Sequence, residues 1–253
     1  PQKILELYGA DTMRYWSAGP KLGEDLDYQE KDLITGKKFE NKIWNATNFV
    51  FMNLQDYDGK KPKNLEKIDE LFLNQLNELI NNCTLSFDKF DYSQVKSEIE
   101  TFFLHFFCDN YLEIVKKRIY NSIGERKISA QYTLYTSLLT IITLLAPIMP
   151  FITEEIYQNN FRKDLKIKSL HLCRWPHSNK SNSKDNKLLF LFLEILKKVR
   201  QEKSLAKKSM NTSIILTIKG EEFKAINTLI DDLKDVTNAS EINKGEFNVK
   251  FIG

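Results

Sequence analysis

The chain is 253 residues long, 42% hydrophobic and 12% aromatic, and its 37 Lys and Arg nearly balance 34 Asp and Glu, leaving a formal charge of +3. That length permits one large domain or two to three small ones around a substantial core. The charge balance excludes a basic tail, so any nucleic-acid contact has to come from a local arrangement of cations.

The opening "PQKILELYGA" places Pro1 where a helix start tolerates it and Gly9 where a helix can end, and Asp11 can cap a second short helix through Met13, Tyr15 and Trp16. It lacks the basic and apolar segments of a signal peptide. "GPKLGEDLDY" reads as a loop. A long helix follows from about Gln29 to Leu54, with Gly36, Ile43, Thr47, Val50 and Leu54 on one face and Phe39 and Ala46 beside it. The turn-rich connector "DYDGKKPKN" leads to a helix from about Lys67 to Asn82, with Leu71, Phe72, Leu76, Leu79 and Ile80 forming a buried stripe.

Asp91 and Gln94 suggest a capping box for the next helix, which continues through Phe102, Phe103, Phe106 and Phe107 to Ile119 as one aromatic-rich helix or a kinked pair. Between Lys127 and Glu154 no charged residue occurs. That approaches the ~20 apolar residues of a membrane span, but Ser, Gln, several Thr, Pro147 and Pro150 suit the central helix of a bundle better. "PFITEEIYQNNF" restarts a helix at Pro150. An extended segment and polar linker span 166–185, then "NKLLFLFLEILKKVRQEKSLA" forms a last bundle helix. Beyond Ser209, "TSIILTIKG", "EEFKAINTLIDDLKD" and "EFNVKFI" read as strand, helix and strand, a β-α-β appendage.

The residues of an enzyme site are missing. No G-x-G-x-x-G or G-x-x-x-x-G-K occurs. His105, His171 and His177 lack metal-ligand spacing, and His105 inside "FFLHFF" reads as a core histidine. Cys83, Cys108 and Cys173 form no C-x-x-C pair and read as buried reduced thiols, which suits a cytosolic compartment. Glu154 and Glu155 read as a solvated helix start. Taken alone, the chain is expected to catalyse nothing and to hold no metal.

The long helix has a second stripe. Lys31, Lys38, Lys42, Asn45 and Phe49 recur at steps of seven, four, three and four, opposite Ile43 and Val50. One account is a solvated face with a stray aromatic. The other is an RNA-reading face, in which ammonium groups attract phosphates, Asn meets a base edge and the ring stacks on an unpaired base.

These segments occur together in a telling order: "YGADTMRYW", "LGEDLDYQEKDLITGKKFENKIWNATNFV" with its K-x-x-N-A-x-x-F pattern (Lys42, Asn45, Ala46, Phe49), "FFCDNYLEIVKKRIY", "LAPIMPFITEEIY", "LHLCRWP" and "VRQEKSL". On these, residues 2 to 210 resemble the C-terminal part of class I aminoacyl-tRNA synthetases, the valyl branch most closely. The resemblance implies a mainly α fold, a helical bundle of the class I synthetase anticodon-binding type with a small C-terminal α/β appendage. It also implies a division into a stem-contact segment at 1–28 that follows a catalytic domain, an anticodon-binding domain at 29–205, and the appendage at 206–253. The family's ATP-binding KMSKS loop would lie just before Pro1.

The implied function is the tRNA-binding region of a cytoplasmic, monomeric ligase that joins valine to its tRNA isoacceptors using ATP with magnesium. The region would position tRNA without catalysing the reaction. An isoleucyl-type region, or a non-enzymatic helical interaction module, is the alternative. The family's anticodon contacts fall on the positions of Lys31, Lys42, Asn48 and Phe49, and Asn48 stands where some relatives carry Arg. Helical geometry adds Lys38 and Asn45, although Asn45 could equally be buried against a neighbouring helix. Arg14 and Lys21 could touch the inner corner of the tRNA or be merely solubilising.

Overall fold

A computed structural model describes residues 2–178 and 183–252, and only the backbone of 183–185. In chain order the elements are α1 (Gln2–Tyr8), α2 (Ala10–Ser17), α3 (Glu30–Met52), α4 (Lys67–Asp88), α5 (Tyr92–Thr101), a π-helical segment (Phe102–Tyr111) and α6 (Leu112–Asn121). Then come α7 (Glu125–Leu145), α8 (Pro150–Asn160), α9 (Arg162–Leu165), α10 (Ser183–Leu205), β1 (Ile214–Ile218), α11 (Gly220–Ala225), α12 (Ile230–Thr237), β2 (Ala239–Lys244) and β3 (Asn248–Phe251). The fold is mainly α with a small sheet near the C-terminus, as expected.

Local chemistry accounts for many of these boundaries. Asp91 caps α5 by accepting from the Gln94 backbone N–H at 3.1 Å. The Gln94 side chain donates to Glu98 instead of reaching back to the cap. Pro150 takes the first position of α8, where its missing N–H costs nothing. The aromatic run is one continuous helical course whose middle is π-helical. His105 in that segment is exposed, which corrects the expectation of a core histidine. Among the described residues α7 is the one helix long and apolar enough to cross a membrane, and 72% of its most apolar window is buried inside the protein. The expected polar linker falls partly on residues 179–182, outside the described residues.

The chain forms two compact units. The first comprises residues 1–61, 76–106 and 131–180. Its core is built on Leu33, Ile43 and Val50 of α3, Ile99 and Phe103, Leu134, Leu138 and Ile142 of α7, and Ile156 and Phe161, each fully buried. Thr84 accepts from the Trp175 indole N–H at 2.8 Å, and Phe87 meets that ring edge-on at 5.3 Å, which ties the extended segment to α4.

The second unit comprises residues 62–75, 107–130 and 181–253. Its sheet has the order β2-β1-β3, with β1 parallel to β2 and antiparallel to β3. β2 was not expected: "ASEINK" holds one buried apolar residue, Ile242, and alternates with nothing hydrophobic. The core joins Ile68 and Leu71 of α4, Ile114 of α6, Phe192, Ile195 and Val199 of α10, and Ile214, Leu216 and Ile218 of β1.

Two buried charge arrangements brace this unit. Arg118 of α6 is 1% exposed and donates to both Asp69 oxygens, at 2.9 and 2.6 Å. Tyr111 and Ser129 also donate to Asp69. On its other side Arg118 Nε lies 3.2 Å from Asp232 Oδ1 of α12, out of hydrogen-bonding alignment. Lys203 of α10, equally buried, donates to the carbonyls of Met210, Thr212 and Thr237 at 2.7 to 2.8 Å.

Candidate nucleic-acid interface

The exposed side of α3 follows from how its other side is held. Gln29 enters in extended geometry, and Glu30 and Asp32 in the first turn suit the positive helix N-terminus. Gly36, Phe39, Ile43, Ala46, Thr47, Val50 and Leu54, the whole expected stripe, are buried. Phe39 stacks on Tyr15 at 4.9 Å and meets Phe103 edge-on at 5.6 Å. Gly36 lets α2 approach so closely that a Cβ there would lie 3.1 Å from the Tyr15 ring and 3.2 Å from the Thr12 methyl. These contacts fix the rotation of the helix, and at ~100° per residue the side opposite Ile43 and Val50 has to face outward.

Lys31, Lys38, Lys42, Asn45 and Asn48 are exposed, and Phe49 is half-buried. Asn45 is thus not packed against a neighbouring helix. The stripe from Lys31 to Phe49 runs along roughly 27 Å of helix. Among the described residues Lys31, Lys38 and Lys42 form no ion pair, whereas Lys37 beside them pairs with Glu40 at 3.0 Å. Three ammonium groups on one line therefore remain available to an anionic partner. The structure places all six expected residues on one side of one helix.

Sequence reasoning missed the neighbours of Asn48 in a parallel row. Ile34, Asn41 and Met52 line up with Asn48 at steps of seven, seven and four. All four are exposed, Met52 at 72%. The same periodicity would have found them. Apolar Ile34 and Met52 were passed over because single exposed apolar residues are common.

Other features do not join this face. Arg14 is exposed, yet its guanidinium donates to the carbonyls of Pro147 and Ile148 at 2.7 and 3.0 Å, bracing the turn before α8. Lys21 is an exposed loop residue. A hollow of about 280 Å³ beside the N-terminal half of α3 is lined by Tyr15, Trp16, Lys96, Asp27, Asp32 and Glu100 among others. Three carboxylates against one ammonium make it unsuited to phosphate. No group of His, Cys, Asp and Glu among the described residues could hold a metal ion. Cys83 is a buried thiol pushed up to about 12, first by burial and then by Glu98.

Residues 69–216, more than half of the chain, match the family described as "Anticodon-binding domain of tRNA ligase". The chain is 38% identical over 244 residues to a Valine--tRNA ligase of Ehrlichia canis (strain Jake), covering 94% of this chain and 30% of that protein. It is 39% identical over 261 residues to a Valine--tRNA ligase of Rickettsia canadensis (strain McKiel), covering 96% and 31%. The chain therefore spans under a third of the length of these curated relatives. It is also similar to a solved LeuRS-tRNA-LeuAMS ternary complex of Agrobacterium radiobacter K84, at 12% identity and a TM-score of 0.48 over 100% of this chain and 30% of that one.

Proposed function

Because this chain belongs to the family of anticodon-binding domains of tRNA ligases, we propose that it is the tRNA-binding region of a valine--tRNA ligase and that α3 reads the anticodon. One observation carries the assignment to α3: three unpaired ammonium groups, two exposed amides and a half-buried ring share one side of a helix whose other side is locked into a core. Lys31, Lys38 and Lys42 attract the phosphates. Asn45 and Asn48 offer base edges both a donor and an acceptor. Phe49 stacks on an unpaired base, and its partial burial limits the entropy lost when it does so.

On this reading the partner is a valine isoacceptor, and the ligase is a cytoplasmic monomer. ATP, with magnesium, is used by a catalytic domain that precedes this region, so the 253 residues hold tRNA without reacting it. Residues 1–28 act as the stem-contact segment, 29–205 as the anticodon-binding domain and 206–253 as the appendage. Resemblance to the Valine--tRNA ligases supports the choice of amino acid.

Filter binding of this chain to valine and isoleucine tRNA transcripts at two salt concentrations tests the proposal. Valine tRNA binds more tightly. Phe49→Ala weakens it by about 1–3 kcal/mol, and Lys42→Ala lowers the dependence of log K on log salt by about 1. Both variants binding like the wild type would remove α3 as the reading surface. Equal binding of the two tRNAs would remove the valine assignment.

A further inference from the structure

We infer that Gln131 is a positioning residue for the end of α3 that carries Phe49, an inference that rests on the reading of that face proposed above. Gln131 lies on α7, where it is 1% exposed and flanked by Ala130 and Leu134, both fully buried. Its amide nitrogen donates to the backbone carbonyl of Asn53 at 2.9 Å and to Oδ1 of Asp56 at 2.6 Å. Both N–H groups are directed at one short stretch of chain, the exit from α3.

That stretch closes the last turn of the helix. The final carbonyls of an α-helix have no partner within it. Here Asn53 supplies two: its Nδ2 donates to the Phe49 carbonyl at 2.7 Å, and its backbone N–H to the Val50 carbonyl at 3.0 Å. Leu54 N–H bonds Phe51 at 3.3 Å. Asn53 sits four residues beyond Phe49, roughly 40° round the helix from it. Gln131 thus holds, from the core, the residue that satisfies the Phe49 carbonyl. A buried amide costs more than a leucine at the same place unless its bonds are made, and once made they select one arrangement of the segment. With the bonds gone the last turn frays, and the ring and the Asn48 amide lose their shared orientation.

The test compares Gln131→Met, which keeps length and removes the donors, with Asn53→Ala, which breaks the second link at a half-exposed site, and Gln75→Met. Gln75 is a second buried glutamine, in the other unit, that donates to Asn186 at 2.6 Å. It controls for the loss of any buried amide. Each variant is melted by circular dichroism, then titrated while folded with a valine tRNA transcript and with the same transcript altered at the middle anticodon base. The inference expects Gln131→Met and Asn53→Ala to cut the preference for the unaltered transcript about fivefold or more. Gln75→Met keeps the preference whatever it does to the melting temperature. Should Gln131→Met fail to fold, Asn53→Ala decides in the same terms. If these variants keep the wild-type preference while Phe49→Ala loses it, the inference falls and the reading of the face stands. If the wild-type chain shows no preference, the reading of the face falls and takes the inference with it.

Discussion

Replacing Asp232 by Asn should flatten the pH dependence of stability, and the structure gives both direction and ceiling. Asp232 is 3% exposed on α12, and influences of both signs act on it. Burial raises its pKa and is the largest; Arg118 lowers it, Asp69 raises it, Arg126 lowers it and Glu66 raises it. Burial wins, because Arg118 spends its aligned donors on Asp69 and offers Asp232 only a misaligned Nε at 3.2 Å. The carboxyl is held at about 7. An acid whose folded pKa lies above the unfolded ~3.9 binds more protons folded than unfolded between the two values, so stability falls as pH rises through that window and levels off above it. At ~1.36 kcal/mol per pH unit the gap sets a ceiling of about 4 kcal/mol, and relaxation of α12 reduces the realised effect to roughly half of that. Asparagine cannot ionise. Urea unfolding followed by circular dichroism at pH 5, 6, 7 and 8 should therefore show Asp232→Asn gaining on wild type by roughly 1–1.5 kcal/mol between pH 5 and pH 8, because about a third of the window lies below pH 5. A difference that stays flat across this range, or that turns in favour of wild type as pH rises, would mean that Arg118 outweighs burial and that the argument from misalignment is wrong.

Two further outcomes test the packing. Lys203→Met takes the donor from the buried carbonyl of Thr237 and from the partly buried carbonyls of Met210 and Thr212. It should cost about 2–4 kcal/mol in the same unfolding assay, and an unchanged midpoint would show that water replaces the ammonium. Gly36→Ala presses a methyl against Tyr15 and Thr12. It should destabilise by about 1–3 kcal/mol in thermal melts, and a melting temperature at or above wild type would show that α2 yields easily.

How far local sequence reaches is visible within single elements. Along α3, every residue of the expected apolar stripe is buried, and the six expected contact residues lie on the other side. One helix period suffices for both, because burial of one side leaves the other to solvent. Asp91 and Pro150 mark helix starts for equally local reasons. Reasoning of this kind failed where the deciding partner is far along the chain. "ASEINK" carries almost no strand pattern of its own and becomes β2 by pairing with β1. His105 sits in a run of phenylalanines, yet it is exposed while Phe103 and Phe107, two residues to either side, are buried.

The buried charges follow the same rule. Arg118 and Asp69 are separated by 49 residues, and in sequence each reads as an ordinary solvated charge. Gln131 likewise reads as a polar interruption of an apolar helix, and its bonds to Asn53 and Asp56 span 78 and 75 residues. What the sequence by itself determined is the long helices, the apolar side that α3 buries and the line of cations left outside it, since these need only the helical repeat and the transfer of apolar groups out of water. Only the tertiary structure decided which buried polar groups meet, where the last strand pairs and what anchors the end of α3, because hydrogen bonds and ion pairs act over a few ångströms and the residues they join are brought that close by folding alone.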